Sequence, residues 1–446
     1  MDDAGAPRSP FGRLTLEDLE ALSGKAQGLI EAARDAAVEP HRRKVLRRFV
    51  ATEILPYLGN ISIDTLYRRL KKDEQLPQGT QVSARRREFS LEEIHQLQRA
   101  FGITPRRPEN RRPLVLSICN FKGGVAKTTT TAHLAQYLCL HGYRVLAVDL
   151  DAQASLTQTF GILPHTEVPS NHTARPFFEG PSFPDGEPNS DWTGTLATAI
   201  QKTHWDQLDL IPSNLGLYGA EFSIAARIRG EENFLFYRIL ADALETVKYD
   251  YDVVLLDTAP SLSFVNSNAL YAADALVITL PPAFLDLQSA SLFYELIADV
   301  VRTINQVQGE EKTFDFGAVL LTRFKPSDAI HQKISSWIRS FLSDTFTHAM
   351  LQTVVLEKLG PRLLTLYEVD HTEESAKYEG DRRAFERALE AMNDVNGEIA
   401  QAIHSVWERQ PTMQSLQASS SREATSSHDT MSHNEAIPHE PLRAVS

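Results

Sequence analysis

Asn120-Phe121-Lys122-Gly123-Gly124-Val125-Ala126-Lys127-Thr128-Thr129 lies between an apolar run over residues 114–119 and a helical spacing over 130–140. A glycine-rich turn between a buried strand and a helix aims backbone N–H groups at one point, where the helix N-terminus adds partial positive charge. Phosphate is the natural occupant. In such a loop Lys127 reaches the β- and γ-phosphates and the Thr128 hydroxyl ligates Mg²⁺. Gly123, Gly124, Val125, Ala126 and Thr129 complete the cradle. The common pattern G-x-x-x-x-G-K-[ST] is not met, because Phe121 and Ala126 stand at its glycine positions. A second lysine, Lys122, precedes the glycine pair instead.

Outward from the loop, short apolar runs alternate with helical spacing. The candidate strands are 114–119, 145–148, 208–211, 253–256, 276–280 and 317–322. Continuous apolar runs of this length indicate strands buried on both faces, hence an α/β fold with a parallel sheet and helices on each side. Two acidic motifs fall at strand ends, where open α/β sheets bind ligands. One is Val148-Asp149-Leu150-Asp151-Ala152-Gln153-Ala154-Ser155. The other is Tyr251-Asp252-Val253-Val254-Leu255-Leu256-Asp257-Thr258-Ala259-Pro260-Ser261. Asp257 is placed to hold the Mg²⁺ shell, with Asp149 and Thr128 as the other candidate ligands. Asp151 is placed to orient water at a γ-phosphate, since phosphoryl transfer depends on positioning and charge neutralisation. A lone aspartate at a strand end is usually a cap or turn residue; three phosphate-type motifs in order weigh against that reading here.

With 446 residues the chain exceeds one ordinary domain, and 42% hydrophobic content supports a sizeable core. No run of about 18 apolar residues occurs, the N-terminus does not read as a signal peptide, and a cytoplasmic location is expected. Cys119 and Cys139 read as small buried hydrophobes without metal or disulfide spacing. The net charge of −13 is segregated: residues 1–112 hold 21 Lys and Arg against 16 Asp and Glu, the remainder 24 against 42. A basic front on an acidic protein fits either a local nucleic-acid contact or a solvated basic face.

Residues 1–40 read as a flexible start with an amphipathic helix, and 41–49 as a basic helical segment. A short helix over 51–58, the turn Gly59-Asn60, and a basic helix capped at Ser62 or Asp64 have the layout of a helix-turn-helix. Ser62, Thr65, Arg68, Arg69, Lys71 and Lys72 are the candidate DNA contacts on it. A wing over 82–89 adds Arg85, Arg86 and Arg87, and Ser90 opens another capped helix. A small helical dimerisation domain is the alternative. This smaller winged unit is expected over 41–105, a linker over 106–113, the nucleotide-binding domain over 114–409, and a disordered tail over 410–446. A surface insertion is expected over 165–192 and a long terminal amphipathic helix over 380–408.

The KGGxxK[ST] loop, the Asp-x-Asp-x-Gln motif and the Tyr-Asp-x-x-x-x-Asp-Thr-x-Pro motif together resemble the deviant Walker ATPases of the ParA/MinD group. Over residues 45–408, including Arg323-Phe324 after Leu320-Leu321-Thr322 and Thr365-Leu366-Tyr367-Glu368, the chain resembles large plasmid partition ATPases, and most of all the RepA proteins of repABC plasmids. The resemblance implies ATP and Mg²⁺ as ligands and an ATP-dependent homodimer in which Lys122 reaches the partner's phosphates. It further implies slow ATP hydrolysis stimulated by a ParB/RepB-like centromere-binding protein, non-specific DNA binding on the nucleoid, and autorepression at an operator. Candidates for the non-specific DNA face are Arg323, Lys325, Lys333, Arg339, Lys358 and Arg362. Ala126, Ala152 and Ala259 depart from the family's glycine and prolines; Ala126 matters most if the backbone there needs a positive φ. The alternatives are a chromosomal ParA or MinD-like positioning ATPase and an ATP-responsive repressor. The tail lacks the basic amphipathic helix that MinD-type membrane binding requires, and no membrane partner is expected. The cysteines do not suit a cluster-bearing reductase.

Overall fold

The computed structural model describes residues 15–37, 44–83, 86–103, 107–183, 186–308, 311–369 and 380–412. Arg85, the first 14 residues and the tail beyond 412 lie outside these. The chain opens with α1 (Leu16–Ala37), whose Leu16, Leu19, Leu22 and Leu29 are exposed. Residues 44–48 have no regular structure and lead into β1 (Phe49–Val50), so the basic helix expected over 41–49 does not form across its described part. Long-range contacts override the local pattern. Phe49 is buried, with the Arg47 guanidinium 4.3 Å from its ring centroid, and Arg47 also pairs with Glu53. The helix expected over 51–58 contracts to a turn and one 3₁₀ turn at Pro56–Leu58. Pro56 has no N–H for a helix running through it.

Gly59 and Asn60, both at positive φ (79° and 54°), then turn the chain into α2 (Ile63–Lys72). The Ser62 hydroxyl accepts from the Thr65 amide and caps that helix. β2 (Thr80–Ser83) and β3 (Arg86–Phe89) form a hairpin, β1 pairs antiparallel with β3, and α3 (Leu91–Ala100) follows behind a Ser90/Glu93 capping box.

The larger unit contains β4 (Leu114–Cys119), α4 (Lys127–Leu140), β5 (Val145–Leu150), α5 (Ser155–Thr159), α6 (Arg175–Glu179), β6 (Gln201–Lys202) and β7 (Leu208–Ile211). It continues through α7 (Tyr218–Gly230), α8 (Ile239–Leu244), β8 (Val253–Thr258), α9 (Phe264–Ala272), β9 (Ala275–Leu280), α10 (Phe284–Gln308) and β10 (Phe316–Leu321). The last elements are α11 (Ala329–Phe341), α12 (Val354–Leu359) and α13 (Arg382–Arg409). The seven-stranded sheet runs β10-β9-β4-β8-β5-β7-β6, parallel throughout except for the short antiparallel edge strand β6. β4 sits between strands that follow it late in the chain, so its C-terminal end is a topological switch point, the place where such sheets bind ligands.

The insertion expected on the surface over 165–192 is partly core: Phe178 of α6 is fully buried beside Leu196 and Leu240. Residues 107–113 are likewise packed, with Arg107 3.8 Å from Asp252 and the Arg112 amide donating to Gln410 Oε1. The amino-terminal unit shares one continuous core with the sheet, joining Phe49, Leu66 and Ile94 to Leu138, Trp205 and Trp407. His95 fastens the seam, with Nδ1 2.6 Å from Asp206 Oδ2 and Nε2 2.7 Å from the Cys139 carbonyl. Cys119 and Cys139 are both buried free thiols.

Candidate phosphate-binding site

β4 ends at Cys119, and Asn120 ties its amide to the Thr279 carbonyl at the end of β9 while its Oδ1 receives the Lys122 N–H. The turn that follows takes Gly124 to φ 72° and Ala126 to φ 67°, ψ 27°. Ala126 is the N-cap of α4 and supplies no side-chain cap, so the first-turn amides of that helix face the loop's concavity without a side-chain acceptor from it. α4 therefore begins at Lys127, three residues before the apolar spacing does.

The Lys127 side chain is buried and its ammonium donates to the Lys122 carbonyl at 3.0 Å. Burial pushes its pKa down, opposed by the charges of Asp257 and Asp151. Thr128 Oγ1 donates to Asp257 Oδ2 at 2.7 Å, and Thr131 Oγ1 to Asp257 Oδ1 at 3.1 Å. Asp149 and Asp257 face each other across the β5–β8 register. Burial pushes both carboxyls up, and for Asp257 the charge of Asp149 adds to it. An added cation is what this buried acidic pair favours electrostatically. Asp149 is already engaged: Oδ2 accepts from the Thr157 amide (2.9 Å) and hydroxyl (2.7 Å), and Oδ1 from the Asp151 amide (3.1 Å). It shapes the loop that carries Asp151, whose own Oδ1 accepts from the Gln153 amide at 2.9 Å.

An open cavity of about 410 Å³ lies over the loop, lined by Gly123, Gly124, Val125, Ala126, Lys127, Thr128 and Thr129, by Asp151 and Ser155, and across from them by Pro260 and Leu363. Lys122 is the exception among the candidate nucleotide-binding residues 122–129. It does not line this cavity; its ammonium lies 2.9 Å from Asp286 Oδ1 in the first turn of α10. Thr131, Thr157 and Leu363 escaped sequence reasoning. Thr131 continues a threonine run and carried that weak signal; Thr157 and Leu363 (φ 54°) come together only through tertiary closure. Among the described residues, no group of three or more His, Cys, Asp or Glu side chains is placed to hold a metal by itself.

The amino-terminal candidates divide. Arg68, Lys71 and Lys72 are exposed on α2. Ser62 is occupied as a cap, with Thr65 as its partner. Arg69 is also exposed, although its guanidinium lies over Phe101 (4.4 Å); Arg87 lies over Tyr67 (5.6 Å) and Arg86 pairs with Glu88, and these two are half-buried.

A sheet with a phosphate loop at its switch point and acidic residues on the next two strands to one side, β8 and β5, defines a P-loop nucleotide-binding protein. A family model described as an AAA domain matches residues 114–308. A replication protein A of Rhizobium rhizogenes is 34% identical over 382 residues, covering 83% of this chain and 90% of that protein. Protein SopA of Escherichia coli (strain K12) is 30% identical over 324 residues, covering 71% and 78%. A solved structure titled "Partition Protein" superposes with a TM-score of 0.57 at 18% identity, over 87% of this chain and 98% of that one, a likeness of fold. The chain belongs to the ParA-type plasmid partition ATPase family, in the group of the rhizobial replication A proteins and SopA. Among the described residues, no helix is long and apolar enough to cross a membrane.

Proposed function

We propose that this chain is a plasmid-segregation ATPase that binds ATP with Mg²⁺, dimerises on it, hydrolyses it slowly, and represses its own operon through the amino-terminal unit. The observation that carries the reading is that Lys127, Thr128 and Asp151 line one cavity, with buried Asp257 bonded to the Thr128 hydroxyl behind it. Lys127→Ala tests it: ATP affinity should be lost, and retained tight binding would remove the phosphate loop from the mechanism.

Lys127 neutralises charge on the β- and γ-phosphates, and its loop backbone supplies the amides that hold them. Thr128 and Asp257 would hold Mg²⁺, which would supply charge neutralisation at the phosphates. Asp149 sets the direction of Asp151 through the Asp151 amide. Asp151 orients the water that bonds to the γ-phosphorus as the bond to the β,γ-bridging oxygen breaks, leaving ADP and phosphate. Lys122 acts outside its own cavity. It exchanges Asp286 for a phosphate of a second copy, which makes ATP binding and dimerisation one event.

The dimer then binds nucleoid DNA through phosphate contacts from Lys325, Lys333, Lys358 and Arg362, all exposed. Arg339 is less available, since its guanidinium donates to the Phe346 and Thr347 carbonyls. A ParB/RepB-like centromere-binding protein stimulates hydrolysis and releases the dimer. α2 reads the operator with Arg68, Lys71 and Lys72, steadied by the β2–β3 hairpin. The protein works in the cytoplasm, on DNA and not on a membrane.

A further inference from the structure

A loop whose amides converge on an anion turns its carbonyls outward, and a carbonyl shielded from water needs a donor. At this loop the Lys122 carbonyl receives Lys127 Nζ at 3.0 Å, and the Ala126 carbonyl receives the Thr130 amide and hydroxyl at 2.9 and 2.8 Å. Two of the three carbonyls in between are met from elsewhere, that of buried Val125 and that of exposed Gly124. Thr322 Oγ1 donates to the Val125 carbonyl at 3.0 Å, and Arg323 Nη1 to the Gly124 carbonyl at 3.0 Å. Both donors stand just past the end of β10, two strands from the loop in the sheet.

Their backbone fits the task. Thr322 is fully buried, with its amide bonded to the Leu280 carbonyl at 3.1 Å. Arg323 sits at φ 51°, a left-handed conformation that residues with side chains rarely adopt and that persists where surroundings over-determine it. An arginine serving only a DNA-facing surface needs neither that backbone nor that contact.

We propose that Thr322 and Arg323 are positioning residues for nucleotide binding: through the Val125 and Gly124 carbonyls they hold the loop's amides in the anion-binding orientation. Arg323 thereby leaves the set of DNA contacts. The proposal rests on the nucleotide reading of the loop, and two variants of the full chain separate their failures. Arg323→Ala should weaken Mg·ATP binding by about 5- to 10-fold, the loss of one charge-assisted hydrogen bond. KM should rise in proportion while kcat at saturation stays within about twofold, the signature of lost binding rather than lost chemistry. Amide hydrogen exchange over 123–127 in the ligand-free protein should speed up, with exchange elsewhere and the thermal midpoint unchanged. Arg323→Lys should recover part of the affinity, and Thr322→Ser, which keeps the hydroxyl, should bind Mg·ATP within about twofold of wild type. Arg323→Ala with wild-type ATP affinity and loop exchange overturns the proposal. So does a variant that keeps ATP binding but loses salt-sensitive DNA binding, since Arg323 would then belong to the DNA face. Retained ATP binding in Lys127→Ala would overturn the nucleotide reading itself, and the proposal with it.

Discussion

Ala126 places a methyl group in the left-handed region, φ 67° and ψ 27°, at the N-cap of α4. A non-glycine residue there costs roughly 1–2 kcal/mol. Ala126→Gly removes that strain but frees the unfolded chain by about 0.4–1 kcal/mol, and it gives up a half-buried methyl packed against the core. The net is a gain of about 0.5 kcal/mol, with ATP affinity within about twofold of wild type. Ala126→Val is the sharper perturbation. A β-branched residue at positive φ is a genuine outlier, and an added strain of about 2 kcal/mol should lower the thermal midpoint of the ligand-free protein by about 4 °C. Should the loop instead escape the strain by leaving the left-handed region, the same 2 kcal/mol would appear as about 30-fold weaker ATP binding. Scanning calorimetry without nucleotide, together with titration of ATP and Mg²⁺, measures both terms. A valine variant matching wild type in midpoint and affinity would refute the assignment of strain to this position.

Asp151→Ala should leave ATP binding intact while turnover falls by about 100-fold or more, the usual scale for removing a group that positions the attacking water. Steady-state phosphate release reads this, and undiminished turnover would end Asp151's assignment. Asp286→Asn weakens the hold on Lys122; because that ion pair is partly exposed it is worth up to about 1 kcal/mol in each copy, so the ATP-dependent dimer, which releases two, should form at up to about 30-fold lower protein concentration. Sedimentation with a non-hydrolysable ATP analogue checks the shift, and an unchanged or weaker dimer would show that Asp286 does not restrain the lysine. His133 is fully buried, donating through Nδ1 to the Thr129 carbonyl and accepting the Leu366 amide at Nε2, and burial lowers its pKa to about 4. It stays neutral when folded, whereas the unfolded chain takes up a proton below about pH 6.5. Its contribution is therefore present above pH 6.5 and is lost as pH falls toward 4, removing about 2 kcal/mol between pH 7 and pH 5. His133→Gln should be less stable at pH 7 but show a flatter dependence in urea denaturation; an unaltered slope would exclude His133 as the source.

The sheet was legible because buried parallel strands write themselves as unbroken apolar runs. The run 208–211 is the observed β7 without adjustment. β5 and β8 extend two residues further than their apolar runs, ending in Asp149-Leu150 and Asp257-Thr258. Those ends carry chemistry, and polar residues there break the hydrophobic signal. β6, two residues on the antiparallel edge, has no such signal at all. The loop motif was legible because its parts are adjacent in sequence. What a spacing rule cannot show is where a long side chain settles: Lys122 against Asp286, and Arg47 on Phe49 where a basic helix was expected. Both are decided by residues distant in the fold, as is the burial of Phe178 in a segment whose composition reads as loop.

The shared core also changes how the two ends of the molecule relate. Lys44, the first described residue after α1, drives its ammonium between the Thr159 carbonyl (2.7 Å), the Leu363 carbonyl and Glu368 Oε2 (3.0 Å). Thr159 and Leu363 both line the nucleotide cavity. Burial alone would raise the Glu368 carboxyl, but Lys44 and the His204 hydrogen bond hold it down at about 2, so the carboxylate stays charged and the junction stays locked at neutral pH. A buried charge pair of this kind is strongly destabilising to break singly. An amino-terminal unit held by such a pair, and by apolar residues continuous with the sheet, is not a detachable module on a linker. Cutting it away would leave Glu368 without Lys44 and strip the apolar cover from α4. The basic face of α2 and the rim of the nucleotide cavity are therefore parts of one packed body, and whatever displaces Leu363 or Thr159 must also act on the segment that leads into β1 and α2.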